Sequence, residues 1–383
     1  MPWRYSNMLR LLVTAVSMLI VWFLTACQAE STGPDIDSMA GVVADGSTTS
    51  EDSGSASELA SNTAESAQST ETSDTSGLNG PAMGTTWSVK LAESIGSKTR
   101  VELESRIVEE LQRINRLVST WDPKSELSRF NENPSLEPAS LDDNTLSILN
   151  TAMDVSRLTA GAYDVTIGPV IDAWGFGAAE THQPPTESDL KEAMAATGYK
   201  TLTLGKSTVQ KKYPATKIDL SSLAKGDAVD RLAALLEAAG YTSFLVEIGG
   251  EVRASGHRSD GKPWLVGIEQ PDGDVSEGLA LTDLAVASSG SYRNYRESNG
   301  IRVSHIIDAR SGQPISHDLV AVTILQSTTR LADAWATALL VVGNDEAWRI
   351  ATDNGWAVQL TLKTDDGFEV RRTREFEQLV AGS

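Results

Sequence analysis

The run Gly161-Ala-Tyr-Asp-Val-Thr-Ile-Gly-Pro-Val-Ile-Asp-Ala-Trp-Gly-Phe-Gly177 fits neither regular backbone pattern. It is too rich in Gly and aromatics for an ordinary helix or strand, and too apolar for a solvent loop. Gly161, Gly168-Pro169, Gly175 and Gly177 each allow a sharp turn or a close backbone approach. Tyr163, Trp174 and Phe176 sit between those turns as rigid flat plates. Such plates suit a planar ring system, with Asp164 and backbone amides nearby to orient it. A buried aromatic corner that only packs reads the same way, so the rest of the chain must decide.

The N-terminus narrows the part that folds. Arg4 and Arg10 flank a basic start, and Leu11 to Leu24 is an apolar run too short for a typical spanning helix. The run ends Leu24-Thr25-Ala26-Cys27, with small residues before the only cysteine. We read residues 1–26 as a bacterial lipoprotein signal and Cys27 as the lipidated first residue of the mature chain. The alternative is a plain signal peptide with an incidental cysteine. Either way the chain is exported. The lipobox reading adds an anchor in the inner or outer membrane, facing the periplasm.

From Gln28 to Gly80 there is no Lys, Arg or aromatic residue, so residues 27–80 are expected to form a disordered, acidic Ser/Thr-rich tether. Of the net charge of −20, the tether carries −10 and the leader +2, which leaves −12 for residues 81–383. That balance excludes the basic footprint nucleic-acid binding needs. About three hundred residues remain, enough for one large domain.

Met83 to Leu91 reads as a first strand entered through a Gly turn. Leu103, Ile107, Leu111, Ile114 and Leu117 follow at helical spacing, and Pro123 stops the helix. Further helices are expected near 142–160 and after the capping pattern Thr186-Glu187-Ser188-Asp189, and Lys217–Gly226 reads as a strand end turning into a helix that runs through Leu235. Buried strands are expected at Phe244–Ile248, Trp264–Ile268, Leu281–Ala287, Val303–Ile307 and Leu319–Leu325. Helices at Thr329–Val342 and Asp345–Thr352 and a hairpin at Trp356–Leu362 and Phe368–Arg372 complete the chain. Strands and helices mix without βαβ alternation, which makes the fold α+β, a single large mixed α/β domain.

Four constellations bear chemistry. In Arg330-Leu-Ala-Asp333-Ala-Trp-Ala-Thr337 the acid and the hydroxyl share one helix face among apolar neighbours. A carboxylate there needs a partner, and with a hydroxyl oxygen it suits Mg²⁺. An ion pair with Arg330 or the capping of a neighbouring loop is the competing explanation. Asp219-Leu-Ser-Ser222-Leu-Ala-Lys225 places an acid, two hydroxyls and an ammonium where a strand meets a helix, a position that attracts phosphate or only caps the helix. His305 in Ser304-His-Ile-Ile-Asp-Ala-Arg-Ser-Gly312 is a base near neutral pH or a structural histidine. Glu247-Ile-Gly-Gly-Glu251 and Ser288-Ser-Gly-Ser-Tyr292 line a ligand or only turn the chain.

In order along the chain, Met83-Gly-Thr85, Ser119–Asn131, Gly161–Gly177, Ile218–Gly226, Glu247–Gly250, Ser304–Gly312 and Ala332–Gly343 resemble the motifs of the FAD:protein FMN transferases, the ApbE family of flavin-trafficking lipoproteins. The resemblance implies an ApbE, T-fold-like domain over 81–383. It implies Mg²⁺-dependent cleavage of FAD, with FMN attached to a Thr of an acceptor flavoprotein, such as a subunit of a membrane redox complex, and AMP released. It places Met83, Trp121, Ala162, Tyr163, Asp164, Asp219, Lys225, His305 and Ile306 around FAD. Asp333, Thr337 and the carbonyl of Ser222 then hold Mg²⁺, and His305 and Asp333 serve catalysis. Trp121, Asp227, Ser291 and Ala309 depart from the family's common Tyr, aromatic, acid and Pro at those positions. An FAD pyrophosphatase and a non-catalytic flavin-binding lipoprotein are the alternatives.

Overall fold

A computed structural model describes residues 77–177, 184–273, 275–292, 295–298 and 301–380. Cys27, the apolar leader and the acidic run to residue 76 lie outside the described residues. The chain enters through the hairpin β1 (Gly77–Ala82) and β2 (Thr85–Leu91), so residues 77–80, read from sequence as tether, are strand, with Leu78 buried. The hairpin turns on Met83 and Gly84, both with positive φ (51° and 76°). A turn of this kind matches the twist of the flanking strands.

Helix α1 (Ser97–Val118) buries Leu103, Ile107, Leu111 and Ile114 as their spacing predicts, and ends at Ser119. A short helix absent from the sequence reading, α2 (Glu126–Glu132), is capped by the Ser125 side chain. After β3 (Ala139–Ser140) come α3 (Asp143–Leu158) and α4 (Gly168–Ala173). Helix α5 (Glu187–Ala195) opens with the expected capping box of Thr186 and Asp189. The strands β4 (Leu202–Leu204) and β5 (Thr208–Lys211) join β3 in a small sheet.

Helix α6 (Ser221–Ala238) leads to β6 (Phe244–Ile248), β7 (Glu251–Ser255), β8 (Trp264–Glu269), β9 (Val275–Leu281) and β10 (Ala285–Gly290). The single strand expected at 281–287 is therefore broken, by a turn with Asp283 at φ 53°. The strand expected at 303–307 is likewise divided at His305-Ile306, between the pair β11 (Tyr295–Ser298) and β12 (Ile301–Ser304) and the pair β13 (Ile307–Asp308) and β14 (Gln313–Pro314). Strand β15 (Leu319–Gln326), α7 (Thr329–Val342), α8 (Asn344–Asn354), β16 (Val358–Thr364), β17 (Gly367–Arg372) and α9 (Arg374–Glu377) finish the fold.

The main sheet has the order β1-β2-β6-β7-β10-β15-β16-β17 and is antiparallel throughout. Side chains alternate across it. Phe244, Val246 and Ile248 of β6 join the large core that includes residues of α1, α3, α6 and α7. Leu245 of the same strand joins a second core with Val252, Trp264, Leu279, Phe376 and Val380. Burial on both faces explains why the central strands are almost continuously apolar. No helix among the described residues is long and apolar enough to cross a membrane.

Candidate active site

The site forms where α6 and α7 cross over the sheet. Gly226 makes the crossing possible, because a Cβ there would stand 2.5 Å from the carbonyl oxygen of Thr329 and 2.8 Å from the Cβ of Asp333. With no side chain between the helices, the Gly226 amide donates to Asp333 Oδ2 at 2.9 Å. Asp333 is 3 % exposed. Its Oδ1 lies 4.0 Å from the ammonium of Lys225, which pairs with Glu251 of β7 at 2.5 Å. Arg330 is not the partner of Asp333: it pairs with buried Asp227, which also binds Arg231. One turn beyond Asp333, Thr337 shares a hydrogen bond with Ser289 of β10 (3.0 Å between hydroxyl oxygens).

The other motifs converge on the start of α6. Neither Ser221 nor Ser222 caps this helix with its side chain. Asp219 accepts from the Ser221 amide at 2.8 Å, and Ser222 Oγ lies 2.9 Å from the Tyr163 hydroxyl. The Asp219 amide donates to the Val165 carbonyl at 2.7 Å, tying the glycine-aromatic stretch to α6. The Ala309 amide donates to the Ala162 carbonyl at 3.2 Å and brings in the segment that carries His305 and Ile306. From the other side, Asn131 of α2 pairs with both backbone groups of Ile218, at 2.8 Å each, as a neighbouring strand would.

Burial pushes the pKa of Asp333 up to about 7, with Lys225 acting against it and Glu251 adding to it. Burial also raises Asp219, Glu251 and the Tyr163 phenol. Desolvation thus outweighs the one ammonium shared by two carboxylates, and a divalent cation would hold Asp333 ionised. Asp333, Thr337 and the Ser222 carbonyl offer only oxygen donors, the chemistry that suits Mg²⁺. Among the described residues no group of three or more His, Cys, Asp or Glu could hold a metal. A metal site here would have to combine one carboxylate with the Thr337 hydroxyl and the Ser222 carbonyl.

The aromatic plates divide differently from the sequence reading. Tyr163 is 3 % exposed. Trp174 donates from its indole to the Gly312 carbonyl at 2.8 Å, and with Phe176 it packs against Val170, Ala193 and Ile307. Phe176 also meets the His305 ring edge-on at 6.4 Å. Asp164 is buried and committed to the protein: Oδ1 accepts from the Thr166 amide and hydroxyl, and Oδ2 from the Tyr199 amide. Trp121, at 65 % exposure, has an open face for a ring. Met83 is half-buried against the main core at the hairpin turn. The contacts that Gly226, Ser289 and Asn131 make, and the pairing of Glu251 with Lys225, are visible only in three dimensions.

An α+β domain with a carboxylate and a hydroxyl one turn apart, beside a half-buried lysine, defines the class, and the chain belongs to the ApbE family: residues 83–360 match the family's model. An FAD:protein FMN transferase of Vibrio cholerae is 40 % identical over 308 residues, covering 79 % of this chain and 92 % of that protein. A second, from Haemophilus influenzae, is 39 % identical over 317 residues, covering 79 % and 90 %. Among solved structures, the flavin transferase ApbE from Vibrio cholerae superposes with a TM-score of 0.73 at 39 % identity, over 79 % of this chain and 98 % of that one. The apo form of the Pseudomonas stutzeri flavinyl transferase ApbE gives 0.73 at 34 % identity, over 80 % and 97 %.

Proposed function

We propose that this chain is an enzyme that transfers FMN from FAD to a threonine hydroxyl of an acceptor flavoprotein and releases AMP. The observation that carries the reading is the pair Asp333 and Thr337, held one turn apart on α7 beside Lys225, in a chain 40 % identical to an FAD:protein FMN transferase. Asp333, Thr337 and the Ser222 carbonyl would hold Mg²⁺, which supplies neutralisation of the diphosphate charge. Lys225 adds a point charge to the same phosphates. Trp121 stacks on a ring of FAD, Met83, Ala162, Tyr163, Asp219 and Ile306 line the remainder of its site, and buried Asp164 fixes the turn behind them. His305 takes the proton of the acceptor hydroxyl as its oxygen bonds to the phosphorus on the FMN side. The bond from that phosphorus to the bridging oxygen breaks, and AMP leaves with that oxygen.

Export and a lipid on Cys27 would set the domain on a membrane face, within reach of membrane redox complexes. The test is product analysis with FAD and Mg²⁺, with and without an acceptor domain. AMP that appears only with acceptor, in step with flavin bound to it, supports the transferase. AMP formed equally without acceptor makes the chain an FAD pyrophosphatase. FAD bound and left intact makes it a flavin-binding protein.

A further inference from the structure

Glu251 lies outside the proposed set of FAD and metal contacts, yet it is as deeply buried as Asp333, at 2 % exposure. Only one of its oxygens is used. Oε1 accepts from Lys225 at 2.5 Å, and Oε2 is buried with no hydrogen-bond partner. The turn before Glu251 is built on glycine and abuts the same lysine. Gly249 has φ 58°, and a Cβ there would stand 3.4 Å from the Lys225 Cδ and 2.8 Å from Thr85 Cγ2. The stem of Lys225 therefore lies along bare backbone while its head is drawn to Glu251. Glu247 closes the turn by accepting from the Gly250 amide at 2.8 Å.

We propose that Glu251 is a positioning residue that holds the Lys225 ammonium off Asp333, so that the carboxylate stays open to a divalent cation. The geometry sets up a competition. Nζ is in contact with Glu251 but 4.0 Å from Asp333 Oδ1. A shift of about 1 Å would bring it to charge-assisted hydrogen-bond distance of Asp333. There it would act as an internal cation in the place a metal needs. Glu251 decides that contest by taking the ammonium first. The inference rests on the metal reading of Asp333 and Thr337 given above, and adds a residue that touches neither metal nor substrate.

The test is Mn²⁺ binding to the full-length chain without flavin, with free Mn²⁺ read by electron paramagnetic resonance. Glu251→Asp keeps the charge but withdraws it by roughly 1.5 Å, the length of one carbon–carbon bond. We expect Glu251→Asp and Glu251→Gln each to bind Mn²⁺ at least tenfold more weakly. Lys225→Met alone stays within threefold of the unsubstituted protein, and added to either Glu251 variant it restores affinity to that level. Thermal unfolding checks each protein, and if the Gln variant does not fold, the Asp variant with and without Lys225→Met carries the same comparison. Glu251→Asp binding as tightly as the unsubstituted protein overturns the inference. So does Lys225→Met raising affinity by one common factor in every background, which is a plain field effect. If the unsubstituted protein and Lys225→Met both take up no Mn²⁺, the metal reading fails instead.

Discussion

Replacing Gly226 by Ala should damage both the stability of the domain and its affinity for a divalent cation. The new methyl would lie 2.5 Å from the Thr329 carbonyl oxygen, a backbone atom that cannot rotate away. The two helices must separate, and the 2.9 Å bond from the Gly226 amide to Asp333 lengthens with them. Overpacking costs about 1–3 kcal/mol, and losing a hydrogen bond to a charged group about 1.5–3 kcal/mol. Ala is better than Gly inside a helix by only about 1 kcal/mol. Sterics and the lost bond win, for a net loss of about 1.5–5 kcal/mol, or roughly 3–10 °C in Tm at about 2 °C per kcal/mol. The assay is thermal unfolding with and without Mn²⁺. The metal should stabilise Gly226→Ala less than the unsubstituted protein, because one oxygen of Asp333 has lost its anchor. A variant within about 0.5 kcal/mol of the original, with an equal Mn²⁺ increment, would refute the helix-crossing argument.

Three further outcomes follow from the same geometry. Because burial raises the folded pKa of Asp333 to about 7, the metal-free protein holds a proton there that the unfolded chain has already released, so stability falls as pH rises from about 4 to about 7. Asp333→Asn should flatten the upper part of that slope in pH-dependent urea unfolding. His305→Ala should keep FAD binding while slowing flavin transfer by about 10²–10⁴-fold, the usual worth of a general base, as read by acceptor labelling in single turnover. Trp121→Ala, at an exposed position, should leave stability within about 0.5 kcal/mol, yet weaken FAD binding about two- to tenfold, as read by flavin fluorescence.

What could be read in the sequence had a local cause. Helix α7 is a nearly unbroken apolar run, so an acid and a hydroxyl four residues apart stand out and place themselves on one face. The capping box of α5 and the doubly buried strands are equally local. Strand β1 escaped because Gly77, Asn79 and Gly80 look like tether, and only pairing with β2 makes them sheet. Arg330, a turn before Asp333, offered a competing ion-pair partner, but α6 brings Asp227 to the same guanidinium. Trp174 and Phe176 read as ligand plates because nothing local reveals the small core of Val170, Ala193 and Ile307 against which they pack. The partner of Glu251 sits on another element altogether, and no spacing rule could join them.

The proposed reaction moves FMN to a protein with the help of Asp333. Its most direct measurement is the intact mass of an acceptor domain carrying a flavinylation threonine, after incubation with the chain, FAD and Mg²⁺. A gain of one FMN is expected, matched by AMP and abolished by Asp333→Ala. An acceptor of unchanged mass, with FAD bound to the chain and uncleaved, would contradict it.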